Sequence, residues 1–300
     1  MNKLFACVAS LAILSGAALA ADLPSRKEAP VYFPPPPTAL WNGLYVGLNA
    51  GGAWDATAAT RVASGPFLIN GPANAPWAFS SAAAGPTSLS TRNDGFIGGG
   101  QIGANFQYGN VLLGIETDLQ GLAAGNGASA ATIAPTPLAA AGLFFVTTTA
   151  SSKSLDYLGT VRARMGYLVT PTLLAYATGG LAYGGITSTT NYSQIIPNDT
   201  PGFLFAGLGR GQSSSARAGW TVGGGVEWMF LPNWSAKVEY LFYDLGDVTY
   251  PVGVSTDLFL SSVLAANAIQ ARASYEGHIV RAGVNYHFNW IAPGPVLAKY

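Results

Sequence analysis

Beyond residue 40 apolar and polar side chains alternate with a period of two, the pattern of strands whose two faces meet different surroundings. The alternation predicts eight strands, at about 42–54, 94–108, 111–122, 153–168, 172–186, 216–230, 234–248 and 276–290. Between them, tight turns at Gly109-Asn110, Thr170-Pro171 and Leu231-Pro232-Asn233 alternate with the long segments 55–93, 123–152, 187–215 and 249–275, rich in Ser, Thr, Gly, Ala and Pro. Short turns at one end and long loops at the other are the connectivity of an eight-stranded antiparallel up-and-down transmembrane β-barrel, with its turns periplasmic and its loops external.

Parity assigns the faces. Val111, Leu113, Ile115, Thr117 and Leu119 alternate with Glu116, Asp118 and Gln120. Leu155, Tyr157, Gly159, Val161, Ala163, Met165 and Tyr167 alternate with Asp156, Thr160, Arg162 and Arg164. The last three strands set one apolar face against Glu227, against Lys237 and Glu239, and against Arg281. The apolar face is the one that can meet lipid, so the lumen is expected to hold Glu116, Asp118, Asp156, Glu227 and Glu239 against Arg162, Arg164, Lys237 and Arg281. Outward aromatics gather in two girdles. Phe106, Tyr108, Tyr167, Trp228, Phe230, Trp234, Phe288 and Trp290 lie towards the turns, and Trp54, Phe96, Tyr157, Tyr183, Trp220 and Phe242 towards the loops. A soluble barrel would invert these faces.

Composition agrees. Of the 300 residues 49% are hydrophobic and 9% charged, with 14 basic and 14 acidic groups in balance, against about 25% charged in soluble domains. Neutrality and apolar content exclude disorder and nucleic-acid binding. The two long uncharged stretches, 119–152 and 165–198, are interrupted by Pro and Gly and lack the roughly 20 apolar residues of a helical span. Residues 1–20 read as a cleavable secretory signal: Lys3, an apolar run, then Ala18-Leu19-Ala20. The one cysteine, Cys7, lies inside it, so thiol chemistry is excluded from the mature chain. Residues 21–40, with Pro34 to Pro37, form an extended periplasmic tether; 41–290 are the barrel and 291–300 a tail. Within 249–275, Ser255-Thr256-Asp257 could cap a short helix over 257–273, or the segment is an irregular apolar loop.

Candidate chemistry is sparse. His278 and His287 are the two histidines, neither with a serine beside it in sequence, so a hydrolase is not expected; no transition-metal set, EF-hand spacing or cofactor motif is present. Gly98-Gly99-Gly100 and Gly223-Gly224-Gly225 lack the Lys-Ser/Thr of a phosphate loop and read as places where a strand bends or admits bulk. An eight-stranded barrel is narrow enough for its own side chains to fill, so the lumen charges are expected to pair and plug it.

Six segments carry a resemblance: Trp41-Asn42-Gly43-Leu44-Tyr45-Val46-Gly47, Gly98 to Asn105 (GGGQIGAN), Leu158 to Tyr167 (LGTVRARMGY), Thr178 to Gly184 (TGGLAYG), Gly219 to Glu227 (GWTVGGGVE) and Lys237 to Leu241 (KVEYL). Together they resemble the small outer-membrane "porin family" barrels of alpha-proteobacteria, the major surface antigen type of rhizobia and brucellae, and more distantly the opacity and OmpA-type barrels. The resemblance implies an outer-membrane location, a role in envelope integrity, external loops that meet host surfaces, and no catalytic residues or cofactors. It implies as partners outer-membrane lipid and lipopolysaccharide and the barrel-assembly machinery, with the protein a monomer. The machinery reads a terminal aromatic; here Ile291 to Tyr300 follow Trp290, so the assembly signal is Phe288, Trp290 or Tyr300. Three functional readings stand: a structural barrel with a closed lumen, a narrow channel, and a loop-mediated adhesin.

Overall fold

A computed structural model describes residues 40–67, 71–124, 126–135, 144–197, 206–259 and 262–288. The signal, the tether up to Ala39, and the tail with Trp290 and Tyr300 lie outside them. Among the described residues there are eleven strands: β1 Gly43–Asp55, β2 Ala59–Phe67, β3 Ser88–Ser90, β4 Gly95–Tyr108, β5 Val111–Ala124, β6 Asn126–Pro135, β7 Phe144–Thr170, β8 Leu173–Ile195, β9 Ala206–Leu231, β10 Trp234–Phe259 and β11 Ser262–Phe288. Eight of them, β1-β4-β5-β7-β8-β9-β10-β11, form an antiparallel ring that β1 closes against β11, from Leu44↔Phe288 to Asp55↔Gly277.

The ring strands begin and end at the turn side within a residue or two of the expected positions; at the other end β1, β4 and β5 also stop about where expected, whereas β7 to β11 run much further. Segments expected as loops, 123–152, 187–215 and 249–275, are largely strand: β7 pairs with β8 up to Val146↔Ile195, and β10 with β11 up to Phe259↔Ser262. The helix or irregular loop expected over 257–273 is part of that last hairpin. The physical reason lies in Ser and Thr. In Val146 to Lys153 the alternation is between two sets of mostly short hydroxyl side chains, invisible to an apolar periodicity, yet β-branched Thr suits a strand. One set faces inside, where Ser151 bonds to Thr190 at 2.9 Å, Thr190 to the Tyr250 hydroxyl at 2.7 Å and Ser188 to the Tyr275 hydroxyl at 2.6 Å.

Segment 55–93 is more elaborate than a loop. It holds β2, which adds to the outer part of β11, then a 3-10 turn at Pro72–Asn74 leading into the helix α1, Ala75–Ala83, and finally β3, which pairs with β2. Helix α1 buries Ala78 and Ser81 against the long-strand end; Asn267 donates to the Ser81 hydroxyl and the Gln194 amide to its carbonyl at 2.9 Å.

The barrel has two interiors of opposite character. In the turn-side half the wall is apolar outside, with Leu48, Ile115, Val161, Met165 and Val226 exposed, and the lumen is polar except for an apolar layer around Trp41 at the turn end itself. Near the long-strand end the interior is an apolar cluster of Leu155, Leu158, Ile186, Leu245, Val248, Val252, Ile269 and Tyr275, while polar side chains such as Thr148, Asn191, Arg210 and Arg272 face outward. Irregularities in the ladders mark the boundary, at Leu155/Tyr157 in β7 and at Asp244/Asp247 in β10. In β7 the extra residue is Asp156. It turns every residue on its N-terminal side to the other face, because side chains alternate strictly with position.

Candidate functional site

The inward positions of β5, β7, β9, β10 and β11 bring eight ionised side chains to one level of the lumen, all of them buried. Arg162 donates to Asp118 at 2.8 Å and across the lumen to Glu239 at 2.9 Å, and pairs with Glu116, which faces it in the β5–β7 ladder. Arg281 reaches Asp118 at 2.9 Å and Glu239, its neighbour in the β10–β11 ladder, at 2.6 Å. Lys237 lies 2.9 Å from Glu116 and 3.8 Å from Glu239. Arg164 reaches Glu227 at 2.6 Å and Glu116 at 3.7 Å, with its guanidinium 3.9 Å from the Tyr176 ring. Each charge has at least one opposite partner within hydrogen-bond reach, the condition under which buried charge is tolerated. Tyr45 donates to Glu116 at 2.6 Å and Tyr176 to Glu239 at 3.1 Å, so neutral hydroxyls complete the carboxylates.

Glycines make room for this bulk. Gly180 stands opposite Arg162, and a Cβ there would lie 2.2 Å from the Val161 carbonyl. At Gly103 a Cβ would lie 2.3 Å from Cζ of the Tyr45 ring.

One expected member of the network is elsewhere. Asp156 is exposed on the outer wall, 3.2 Å from the Ser154 hydroxyl, because it is the bulge residue. Leu155, expected on the lipid face, is buried inside for the same reason. The correction leaves four acids, Glu116, Asp118, Glu227 and Glu239, against four bases, Arg162, Arg164, Lys237 and Arg281. An expected five-to-four lumen is therefore neutral. The same shift admits a pair that the parity reading missed: Lys153 is buried against Asp55 at 2.8 Å and donates to the carbonyls of Thr57 and Ser274 at 3.0 and 3.1 Å.

Below the network, towards the turns, Trp41 lies fully buried across the mouth. Its indole donates to the Pro171 carbonyl at 3.0 Å and its ring meets His287 edge-on at 5.5 Å, among Leu112, Leu168, Leu174 and Met229. His287 has a serine in space that sequence did not place beside it, with the Ser235 hydroxyl 2.9 Å from Nε2. Glu227 approaches the same Nε2, at 3.5 Å. A catalytic relay needs the carboxylate on the opposite ring nitrogen, holding the base towards the hydroxyl, so this trio is a hydrogen-bonded brace. No cluster of three or more His, Cys, Asp or Glu that could hold a metal occurs among the described residues.

The outward aromatics stand in two belts. At the turn end Phe106, Tyr108, Tyr167, Trp228, Phe230 and Trp234 are exposed, Trp228 and Phe230 pair at 6.0 Å, and Phe288 packs edge-on to Tyr286 at 5.0 Å. At the other, Trp54, Phe96, Tyr157 and Trp220 are exposed, and His278 nests among Trp54, Tyr240 and Phe242 with centroids 5.4–6.0 Å apart. On β10 the belts are marked by Trp234 and Phe242; such a separation is roughly 27 Å of strand, which at a tilt of about 40° rises roughly 21 Å, within a few ångström of the apolar band of about 25 Å on membrane barrels.

Residues 6–288 match a family described as "Outer membrane protein beta-barrel domain". The chain is 33% identical over 281 residues to a "31 kDa outer-membrane immunogenic protein" of Brucella melitensis, covering 92% of this chain and 96% of that one. It is 28% identical over 154 residues to a "22 kDa outer membrane protein" of Rhizobium leguminosarum, covering 51% and 54%. Among solved structures, the outer membrane protein OprG of Pseudomonas aeruginosa aligns over 82% of this chain and 97% of its own, at 9% identity and a TM-score of 0.36.

Proposed function

The chain belongs to the outer membrane protein beta-barrel domain family, and on that premise we propose that it is a structural barrel of the envelope, closed to solutes, with its long strands displayed at the cell surface. The observation that carries this reading is the lumen. Three successive layers fill it: Trp41 with its apolar neighbours, the neutral network of eight charges, and the apolar cluster beneath α1. Ion flow would require breaking several charge-assisted hydrogen bonds between buried side chains.

The partners follow from the same reading. The belted wall takes outer-membrane lipid and lipopolysaccharide, the assembly machinery reads the aromatic end of β11, and the barrel works as a monomer. No enzymatic activity is assigned, in keeping with relatives named as immunogenic and outer-membrane proteins. The test is single-channel recording of the purified chain in planar bilayers. A silent membrane is expected; reproducible large conductance steps would favour the channel reading.

One observation supports a surface-interaction role beside the structural one: strands, not loose loops, carry the chain far past the aromatic belt. Replacing residues 254–265 by a tight turn should leave barrel assembly intact and abolish any host-cell binding. Unchanged binding would count against adhesion through that tip.

A further inference from the structure

We propose that a recess on the outer wall, just beyond the second aromatic belt, binds the headgroup of a zwitterionic phospholipid, with its phosphate on Arg61 and its ammonium on Asp244 and Glu276. The inference rests on reading the long-strand end as external and the belt as the lipid boundary.

The recess has a volume of about 370 Å³ and is lined by Arg61, Asp244, Asp247, Arg272, Ser274 and Glu276 with neighbouring small residues. Its height is set by register. Phe242 and Trp54 of the belt both pair with His278, and one outward position further along β11 is Glu276, paired with Asp244. The first polar groups past the apolar band therefore form the rim, at the depth where headgroups lie. A local irregularity in β10 makes the hollow. Between Asp244 and Asp247 the strand carries an extra residue, and Gly246, at φ +77°, has no side chain and nothing within 4 Å of where one would stand. Bulges of this kind re-aim side chains at functional rims of sheets.

The charges then select the ligand. Arg272 is spent on Asp247, donating from Nε at 3.1 Å and from a second nitrogen. Bonds from Ser274 and Arg272 hold the Asp247 carboxyl below its usual pKa. Arg61 stands directly opposite Arg272 in the β2–β11 ladder, a costly like-charge placement. Among the described residues it has no carboxylate within 4 Å. Asp244 accepts only the Gly246 amide, at 2.8 Å, and Glu276 the Thr57 hydroxyl; neither has a cation within 4 Å among the described residues. The uncommitted groups are thus one guanidinium and two carboxylates around a single hollow. A simple anion would be repelled by the two acids, and a simple cation would leave the Arg61 guanidinium without a counter-charge, whereas a phosphate-plus-ammonium headgroup satisfies both signs. The aromatic cluster of Trp54, Tyr240, Phe242 and His278 beneath would receive the glycerol and the upper acyl chain.

The test uses the full chain refolded in neutral maltoside micelles, with heat-modifiable gel mobility as the check of folding and native mass spectrometry as the readout. Short-chain phosphatidylethanolamine should be retained, with short-chain phosphatidylglycerol and free O-phosphoethanolamine at least tenfold weaker. Arg61→Gln and Asp244→Asn should each weaken retention about tenfold, and Arg210→Gln, an exposed arginine elsewhere on the wall, should not. Equal retention of phosphatidylglycerol would make this a plain anion site, equal retention of the free headgroup a soluble-ligand site, and unchanged binding in both variants would remove the site altogether; each result overturns the proposal. If either variant fails to fold, the comparison of the three ligands on the unaltered chain still decides. Failure of the underlying orientation would show separately. A Ser214→Cys variant, whose thiol is unique in the mature chain, should react with a membrane-impermeant maleimide on intact cells.

Discussion

Arg164 and Glu227 allow the lumen argument to be put to a quantitative test. Their side chains are fully buried and 2.6 Å apart, and each has one short ionic partner, unlike Arg162, which answers to three carboxylates. With charge centres near 4 Å and an effective dielectric of about 20, the attraction is about 4 kcal/mol, opposed by a desolvation penalty of several kcal/mol for each ion. The net worth of the pair is therefore small, while the cost of removing one member is large. Arg164→Met leaves Glu227 with its bonds from Asn285, at 2.6 Å, and Ser235, and with His287 Nε2 at 3.5 Å, and should destabilise by about 3–5 kcal/mol. Glu227→Gln leaves Arg164 with Glu116 at 3.7 Å and the Tyr45 hydroxyl at 2.9 Å, and should cost about 3 kcal/mol. The double variant should fall within about 2 kcal/mol of either single one, a coupling of at least about 2 kcal/mol. Urea titration of the refolded chain in lipid vesicles, read by tryptophan fluorescence and by gel mobility, measures all three. Additive losses, or single losses below about 1 kcal/mol, would mean that water solvates these charges and that the lumen is open.

Three further outcomes follow from the placement of single residues. Val161→Arg, on the lipid face between the belts, should cost about 2–4 kcal/mol in the same titration, and Val111→Arg, beside the turn, about 1 kcal/mol or less; equal costs would contradict the depth assignment. From sequence alone Thr160→Arg reads as the milder comparison, but Thr160 is buried against Asp118 at 2.9 Å, and arginine there has no room. Deleting Asp156 should remove the bulge yet leave Lys153 paired with Asp55 and Leu155 inside, because Leu155 then directly precedes outward-facing Tyr157 and keeps the inward position; limited proteolysis should give the digest of the unaltered chain, and preferential cutting of the long-strand end would refute the bulge argument. Trp41→Ala should lower stability by about 3–5 kcal/mol through the cavity it leaves, without producing conductance, because the charge network still blocks the lumen; conductance in this variant would make Trp41 the gate.

What could be read from the sequence was whatever a strict two-residue period and a lipid solvent impose. Lipid forbids charge on every second position, so the ring of eight strands, the turn-side ends, the apolar wall with Val161 and Val226, and the inward setting of Glu116, Asp118, Arg162, Arg164, Glu227, Lys237, Glu239 and Arg281 were legible without coordinates. Three things escaped for identifiable reasons. The strands continue past the belt because Ser and Thr are near-neutral between the two environments and leave no apolar alternation to detect, although Thr147, Thr149 and Ser151 prove to be buried. The face of Asp156 was lost because one inserted residue reverses parity and carries no signal of its own. The pairings themselves, Arg162 with Glu239 across the lumen and Lys153 with Asp55, join residues far apart in the chain, and only closure of the ring decides which of them meet. Sequence thus determined which side chains must leave the lipid. The tertiary structure decided that they neutralise one another, because side chains from five strands converge at one level of a narrow barrel.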